Sequence, residues 1–246
     1  HISKTFFKGT INEKKALNDL SLTLNDGDFC TVIGGNGAGK STLLNSIAGA
    51  YLPDSGTIEI NGKDVTKMSE YKRAKFIGRV FQDPLKGTAA GMQVEENLLL
   101  ASRRGESRRL RWAFSAGDHD KYKAMVSRLD LGLEDRLSTR IGLLSGGQRQ
   151  ALTLLMATIK RPEVLLLDEP TAALDPKTAA KVLKITDEIV HEQHLTTLMI
   201  THNMKDALKY GNRLIMMNNG RIIADYSEDE KKNLTIDDLL KKFEET

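Results

Sequence analysis

Apolar positions follow different periods in successive parts of the chain. Over residues 1 to 33 they alternate. Ile2, Lys4 and Phe6 share one face of a strand, and Leu20, Leu22 and Leu24 one face of another, the period of two shown by half-buried strands. Asn25-Asp26-Gly27-Asp28 predicts a turn that feeds a short apolar strand, Phe29 to Ile33. A glycine-rich turn follows, then a helix with Leu43, Leu44, Ile47 and Ala48 on one side. Pro53-Asp54-Ser55-Gly56 is a further turn, and Thr57 to Ile60 and Val65 flank Asn61-Gly62, a hairpin signal.

Strand signals then fade. Val94 to Ser102 and Lys121 to Leu131 carry helical spacing, so residues 82–145 are expected to form an inserted helical subdomain between 1–81 and 146–246. Gln148 to Lys160 is apolar nearly all round and predicts a buried helix, ended by Arg161-Pro162. Val164 to Leu167 is a continuous apolar run of the kind buried in a parallel sheet. Lys181 to His194 is expected to be helical, Thr197 to Thr201 a strand, and Lys205 to Tyr210 the start of a helix. Leu214 to Met217 and Ile222 to Ala224 bracket Asn219-Gly220 as a hairpin, and Thr235 with Asp238 has capping-box spacing ahead of a last helix. The class is α/β: a mostly parallel sheet with helices, an antiparallel β edge and a helical insert.

Composition narrows the setting. With 246 residues, 40% hydrophobic and 28% charged, the chain can bury a sizeable core. Net charge is only +3, so any basic patch is local and nucleic acid is not the expected partner. The single cysteine, Cys30, lies in the apolar strand and reads as a packed core thiol in a reducing compartment. No apolar run approaches the roughly 20 residues that cross a bilayer, and HISKTFFKG has no secretory apolar region. A cytoplasmic protein is the expectation.

The candidate chemistry begins at Thr31 to Thr42, TVIGGNGAGKST. Gly34-x-x-x-x-Gly39-Lys40-Ser41 has the spacing of a phosphate-binding loop. Glycines let successive backbone N–H groups point into one concavity, and a helix start at Lys40 adds its positive end. Lys40 can then reach the outer phosphates and Ser41 can ligate Mg²⁺. Asp168-Glu169 follows the apolar run at Val164, where the carboxyl end of a parallel strand faces a ligand crevice. Asp168 is thus a candidate for holding Mg²⁺, and Glu169 for directing water at a γ-phosphate. Leu144-Ser145-Gly146-Gly147-Gln148 opens the buried helix as a second anion-binding end, with Ser145 as N-cap. One nucleotide hardly needs two such cradles from one chain, and a site shared between two chains is the natural arrangement.

Together these segments resemble the ATP-binding subunit of an ABC transporter over essentially the whole chain. Gly34 to Thr42 is similar to that family's Walker A motif, Gln82 to its Q-loop and Leu144 to Gln148 to its LSGGQ signature. Val164 to Glu169 resembles Walker B, Ala173-Leu174-Asp175 the D-loop, and His202 the switch histidine. Gly35 stands where many relatives carry Pro or Ser, and Ala172 precedes the D-loop in place of a more usual Ser; neither removes a functional group.

The resemblance implies a P-loop NTPase core of ABC ATPase type with ATP and Mg²⁺ as cofactors. It implies that Gly34, Asn36, Gly37, Ala38, Gly39, Lys40, Ser41 and Thr42 bind nucleotide. It also implies a head-to-tail pair of copies, in which Ser145, Gly146, Gly147, Gln148 and Asp175 contribute to the opposite copy's site. Glu169, His202, Gln82 and Lys40 are the implied catalytic set, and Ser41, Gln82 and Asp168 the implied metal set. An aromatic near the N-terminus usually stacks on adenine: Phe6 is the best match, with Phe7 expected on the opposite strand face and core packing open for both.

The implied activity is ATP hydrolysis powering a pair of transmembrane permease subunits, from the inner face of the cell membrane. Import of amino acids or similar small solutes is favoured, served indirectly by an extracytoplasmic substrate-binding protein. The stretch from Gln82 to Phe114 resembles a subgroup that accompanies lipoprotein-dependent importers of amino acids, aromatic ones among them. Alternatives are the energy subunit of an exporter, a soluble ABC ATPase acting on nucleic acid or in cofactor assembly, and a non-hydrolytic regulatory module. Arg103, Arg104, Arg108, Arg109 and Arg111, followed by Trp112, read as a solvated helix face or connecting loop, or as a contact for lipid head groups or a membrane partner, with nucleic acid third because aromatic residues hardly interleave with these charges.

Overall fold

The computed structural model describes residues 1–106 and 117–245. Six strands form the central sheet in the order β10-β9-β3-β8-β7-β6. They are β3 (Phe29–Gly34), β6 (Ile77–Val80), β7 (Val164–Asp168), β8 (Thr197–Ile200), β9 (Arg213–Asn218) and β10 (Arg221–Tyr226). All neighbours are parallel except β9 and β10, which form the antiparallel hairpin expected around Asn219-Gly220. A separate antiparallel pair, β1 (Ile2–Phe6) with β2 (Lys14–Leu20), makes the β edge. A hairpin of β4 (Glu59–Ile60) and β5 (Lys63–Asp64) turns at Asn61 and Gly62, both with positive φ as a tight two-residue turn requires.

Both faces of the sheet are covered, which is why its strands read as continuous apolar runs. On one face Cys30, Val32, Leu166, Leu198, Ile200 and Met217 pack with Leu43, Leu44 and Ala48 of α1 (Lys40–Ala48) and with Ile2, Leu17 and Leu20 of the edge. On the other, Phe29, Leu165, Leu167 and Met199 meet α5 (Gly146–Thr158) and α6 (Pro176–Glu192). The same cluster contains Val94, Leu98 and Leu99 of α3 (Val94–Ser102) and Tyr122 and Val126 of α4 (Asp118–Ser127). The helical segment therefore shares a continuous apolar core with the sheet. A third cluster places Ala207 of α7 (Met204–Lys209) and Leu239 of α9 (Ile236–Glu244) over Ile33, Leu214 and Met216.

Some expectations shift. The alternation through Leu22 and Leu24 outlasts the strand: β2 ends at Leu20, opposite Ile2, and the two leucines pack on the core from chain outside any regular element. The helix expected from Lys181 starts five residues earlier, because Asp175 caps it and Pro176 occupies its first position. The strand β6 and the short helices α2 (Glu70–Arg73) and α8 (Glu228–Lys232) have no counterpart in the sequence reading. Among the described residues no helix is long and apolar enough to cross a membrane.

Candidate nucleotide site

The glycine-rich loop leaves the carboxyl end of β3 and enters α1 at Lys40. Gly39 is the N-cap residue, with φ of 100°, and a Cβ there would lie 2.5 Å from the Ala16 carbonyl oxygen. That left-handed conformation and that close approach admit only glycine at low cost. The loop is braced from behind, since Gly220 N–H in the β9–β10 turn donates to the Ala38 carbonyl at 3.0 Å. Lys40 is buried, and its Nζ donates to the carbonyls of Gly34 at 2.6 Å and Gly35 at 3.0 Å. Burial lowers its pKa, while Glu169 and then Asp168 act to raise it.

Strand pairing brings the other groups to this loop. In the parallel ladder of β7 and β8, Asp168 lies opposite Ile200, and Glu169 N–H donates to the Ile200 carbonyl at 3.1 Å. Glu169 and His202 therefore leave neighbouring strand ends side by side, and His202 Nε2 is 2.5 Å from Glu169 Oε1. Glu169 is nearly buried and has φ of 49°, the left-handed region that non-glycine residues rarely occupy. Such strain clusters at functional positions. Burial raises the Asp168 pKa, and Arg79, Lys86, Lys40 and His202 oppose that shift.

One cavity joins these parts. It runs from Phe6, Lys14 and Ala16 across Asn36, Gly37, Ala38, Gly39, Lys40, Ser41 and Thr42 to Glu169 and His202. Phe6 belongs to its wall, with its ring edge-on to Tyr51 at 5.2 Å between centroids. Phe7 has left β1, has φ of 53°, is 70% exposed and does not line the cavity. Lys14 has no place in the sequence reading. It pairs with Phe6 across the β1–β2 ladder, and its Nζ would lie 3.0 Å from a Cβ on Gly37. The signal for it was the edge itself, since whatever faces Phe6 shares its cavity.

Other candidates stand apart from this cavity. Gln82 is exposed between β6 and a 3-10 turn at Pro84–Gly87. Ser145 is an exposed N-cap of α5, its Oγ accepting from Gln148 N at 3.3 Å, with Gly146 half-buried and Gly147 buried behind it. The Gln148 amide is engaged within the chain: Oε1 accepts from Ser145 N–H and Arg136, and Nε2 donates to the Leu131 carbonyl at 3.0 Å. Asp175 accepts from Thr178 N–H at 3.1 Å, and its bonds to Thr178 hold its pKa below the usual carboxylate range.

For Mg²⁺ the donor set is sparse: a hydroxyl at Ser41 and a carboxylate at Asp168. Among the described residues no group of three or more His, Cys, Asp or Glu side chains forms a metal cage. That fits an ion held by one or two side chains together with substrate phosphates, the usual mode for Mg²⁺. The arginine cluster divides. Arg104 turns inward, donating to the Ala157 carbonyl at 2.9 Å and to the Lys160 carbonyl at the end of α5. For Arg104 a lipid-facing role is thereby overturned, because the carbonyls at a helix end need donors. Arg108, Arg109, Arg111 and Trp112 lie outside the described residues.

Comparison with known proteins agrees with this geometry. Residues 17–172 match the family model described as ABC transporter. A tyrosine transport ATP-binding protein of Clostridioides difficile is 44% identical over 244 residues, 99% of this chain and 97% of its own. A phosphonates import ATP-binding protein of Lactococcus lactis subsp. cremoris is 33% identical over 246 residues, covering 98% and 97% of the two chains. The structure of an ATP-binding cassette of an ABC transporter in its ADP conformation superposes with a TM-score of 0.80 at 29% identity, over 100% of this chain and 96% of that one. A dimeric post-hydrolysis cassette bound to ADP and Pi gives 0.77 at 26% identity, over 92% and 96%. With the loop, Glu169 and His202 gathered in one cavity and relatives aligned end to end, the chain belongs to the ABC transporter family, as one of its ATP-binding, ATP-hydrolysing subunits.

Proposed function

We propose that this ATPase powers an importer of amino acids or similar small solutes, working from the cytoplasmic face of a membrane on two separate permease subunits. The observation that carries the mechanism is the separation within one chain of two phosphate-binding ends. The loop and Glu169–His202 line one cavity, whereas Ser145 and the start of α5 do not. A second copy packed head to tail supplies Ser145, Gly146 and Gly147 to that cavity, and the dimeric state of the ADP-and-Pi cassette supports the reading. Gln148 and Asp175 act there by holding the starts of α5 and α6 in shape, since their side chains are already bonded within the chain. The 44% identity to a tyrosine transport protein supports an amino-acid solute, and an extracytoplasmic binding protein would select it.

In each cavity Phe6 stacks on adenine. The backbone N–H groups of Asn36 to Thr42 receive the phosphates, and Lys40 exchanges its bonds to Gly34 and Gly35 for bonds to the outer phosphate oxygens. Ser41 and Asp168 would hold Mg²⁺, with Gln82 joining them when residues 82–145 rotate as a subdomain, and the ion would neutralise phosphate charge. Glu169 accepts a proton from the attacking water, and His202, in contact with Glu169, directs its ring toward the γ-phosphate. Closure on ATP and release after hydrolysis follow from the higher affinity of the closed pair for ATP than for ADP and phosphate.

The test is Glu169→Gln. It should bind ATP with affinity near the parent's, lose turnover by about a hundredfold or more, and accumulate as an ATP-dependent dimer on size-exclusion chromatography. Undiminished hydrolysis sinks the base assignment. Persistence of a monomer at saturating ATP sinks the shared site. Co-purification with a polytopic membrane protein separates the transporter from a soluble ATPase.

A further inference from the structure

We propose that Arg79 is the positioning residue that ties the phosphate-loop helix to the segment carrying Gln82. Arg79 lies on β6, opposite Leu166 of β7, and its side chain is 12% exposed. Its guanidinium forks. Nη2 donates to Asn45 Oδ1 at 2.6 Å, and Nη1 is 3.2 Å from Glu70 Oε1 at the start of α2. Asn45 in turn donates through Nδ2 to the carbonyl of Ser41 at 2.8 Å, one turn back in α1. The guanidinium carbon sits 4.4 Å from the centre of the Phe81 ring. Phe81 immediately precedes Gln82, and its carbonyl accepts from Gln150 of α5 at 3.4 Å.

A single planar cation thus touches α1 beside the metal-binding Ser41, α2, and the residue that leads into the Gln82 turn. Charge-assisted hydrogen bonds set direction as well as strength, and stacking on an aromatic face fixes the plane of the guanidinium. A shift of α1 as the loop closes on phosphate is passed through Asn45 to Arg79, and through the stacked ring to Phe81 and Gln82. Phe81 and Arg79 also line the groove between the sheet and α3 and α5, beside Leu100 and Met156. Movement at Phe81 therefore changes the surface at which the helical segment meets the core. Lysine has the charge but neither the fork nor the flat face, so it cannot replace arginine here.

This relay rests on the reading that Gln82 responds to bound nucleotide, and one experiment separates the two. Amide hydrogen exchange over residues 81–87 is measured in the full chain with and without saturating Mg²⁺ and a non-hydrolysable ATP analogue. The parent, Arg79→Met and Arg79→Lys are compared, with affinity read from a fluorescent N-methylanthraniloyl-ATP. The parent should show slower exchange with nucleotide. Both variants should bind the fluorescent ATP within about threefold of the parent and lose that slowing. Their kcat should fall about tenfold with KM for ATP little changed, as for an interaction outside ground-state binding. Retained slowing in Arg79→Met overturns the relay, and restored slowing in Arg79→Lys overturns the role of the fork. If the parent itself shows no slowing, the Gln82 reading fails and the relay falls with it. Should Arg79→Met not fold, Arg79→Lys carries the same comparison.

Discussion

His202 Nε2 and Glu169 Oε1 lie 2.5 Å apart, although 33 positions separate them in the chain (202 − 169 = 33). The contact follows from the register of two parallel strands, which puts Asp168 beside Ile200 and lets the next residues of each strand end meet. Glu169 is nearly enclosed while half of the His202 side chain is exposed, so the carboxylate is fixed and the imidazole is its outward extension. Under the proposed mechanism the pair acts as one unit.

A unit of this kind predicts non-additivity. His202→Ala should lower kcat by about a hundredfold, the size seen when one donor to a developing charge is removed, with KM for ATP changed far less. In the double variant Glu169→Gln, His202→Ala, the loss should be no larger than that of Glu169→Gln alone. Steady-state phosphate release on the four proteins checks this. Losses that multiply would mean that the two side chains act separately.

Loop shape and loop charge should separate at adjacent positions. Gly39→Ala forces a Cβ toward the Ala16 carbonyl at 2.5 Å in a left-handed conformation, strain of about 1–3 kcal/mol. It should lower the thermal midpoint and weaken ATP binding together. Lys40→Ala removes the ammonium that bonds Gly34 and Gly35, and should weaken ATP binding with a smaller change in midpoint. Calorimetric unfolding and fluorescent-ATP titration distinguish them. Equal effects on stability would show that the lysine, too, is chiefly structural.

Much of this was legible because it is local. The phosphate loop is a contiguous spacing, and Asp168-Glu169 is marked by the apolar run before it. The Glu169–His202 contact was not legible from spacing alone, since it depends on which strands pair and in what register. The strand β6 is not legible in the sequence because Gly78 and Arg79 interrupt its apolar character. A Cβ on Gly78 would lie 2.6 Å from the Ala157 carbonyl, and Arg79 is turned to Asn45, so both residues answer to tertiary neighbours. Asp175 illustrates the reverse. Its family resemblance points to nucleotide, while Asp-Pro at a helix start was a readable cap.

Arg104 provides a prediction about the helical segment. Its guanidinium closes the carbonyl end of α5 at Ala157 and Lys160, and burial lowers its pKa. Arg104→Ala leaves those carbonyls without their donor, a loss of about 1–3 kcal/mol. The urea midpoint should fall accordingly, while stimulation by a membrane partner, scaled to the folded fraction, should not change. Selective loss of stimulation at full stability would return Arg104 to the partner-facing group.

The last prediction concerns Lys231 in α8, which is 5% exposed. Its Nζ donates to the carbonyls of Tyr210 and Gly211, the latter at 2.9 Å, and so ties the C-terminal region to the turn after α7. Burial pushes its pKa down from 10.5 to about 8, with Cys30 and Glu228 acting in the opposite direction. The sign follows from proton counting. Between about pH 8 and the ordinary lysine range, the unfolded chain keeps a proton that the folded chain has released, so unfolding takes up protons and stability rises with pH. Below about pH 8 both states are charged and the burial penalty is fully present. Cys30, pushed up to about 12, stays protonated across the window. In Lys231→Met this contribution is absent, and groups common to both proteins cancel in the difference. The stability of the parent relative to Lys231→Met, from urea unfolding, should therefore increase on the order of 1 kcal/mol between about pH 8 and about pH 10. A difference that stays flat or shrinks would mean that the two carbonyls hold the ammonium charged throughout.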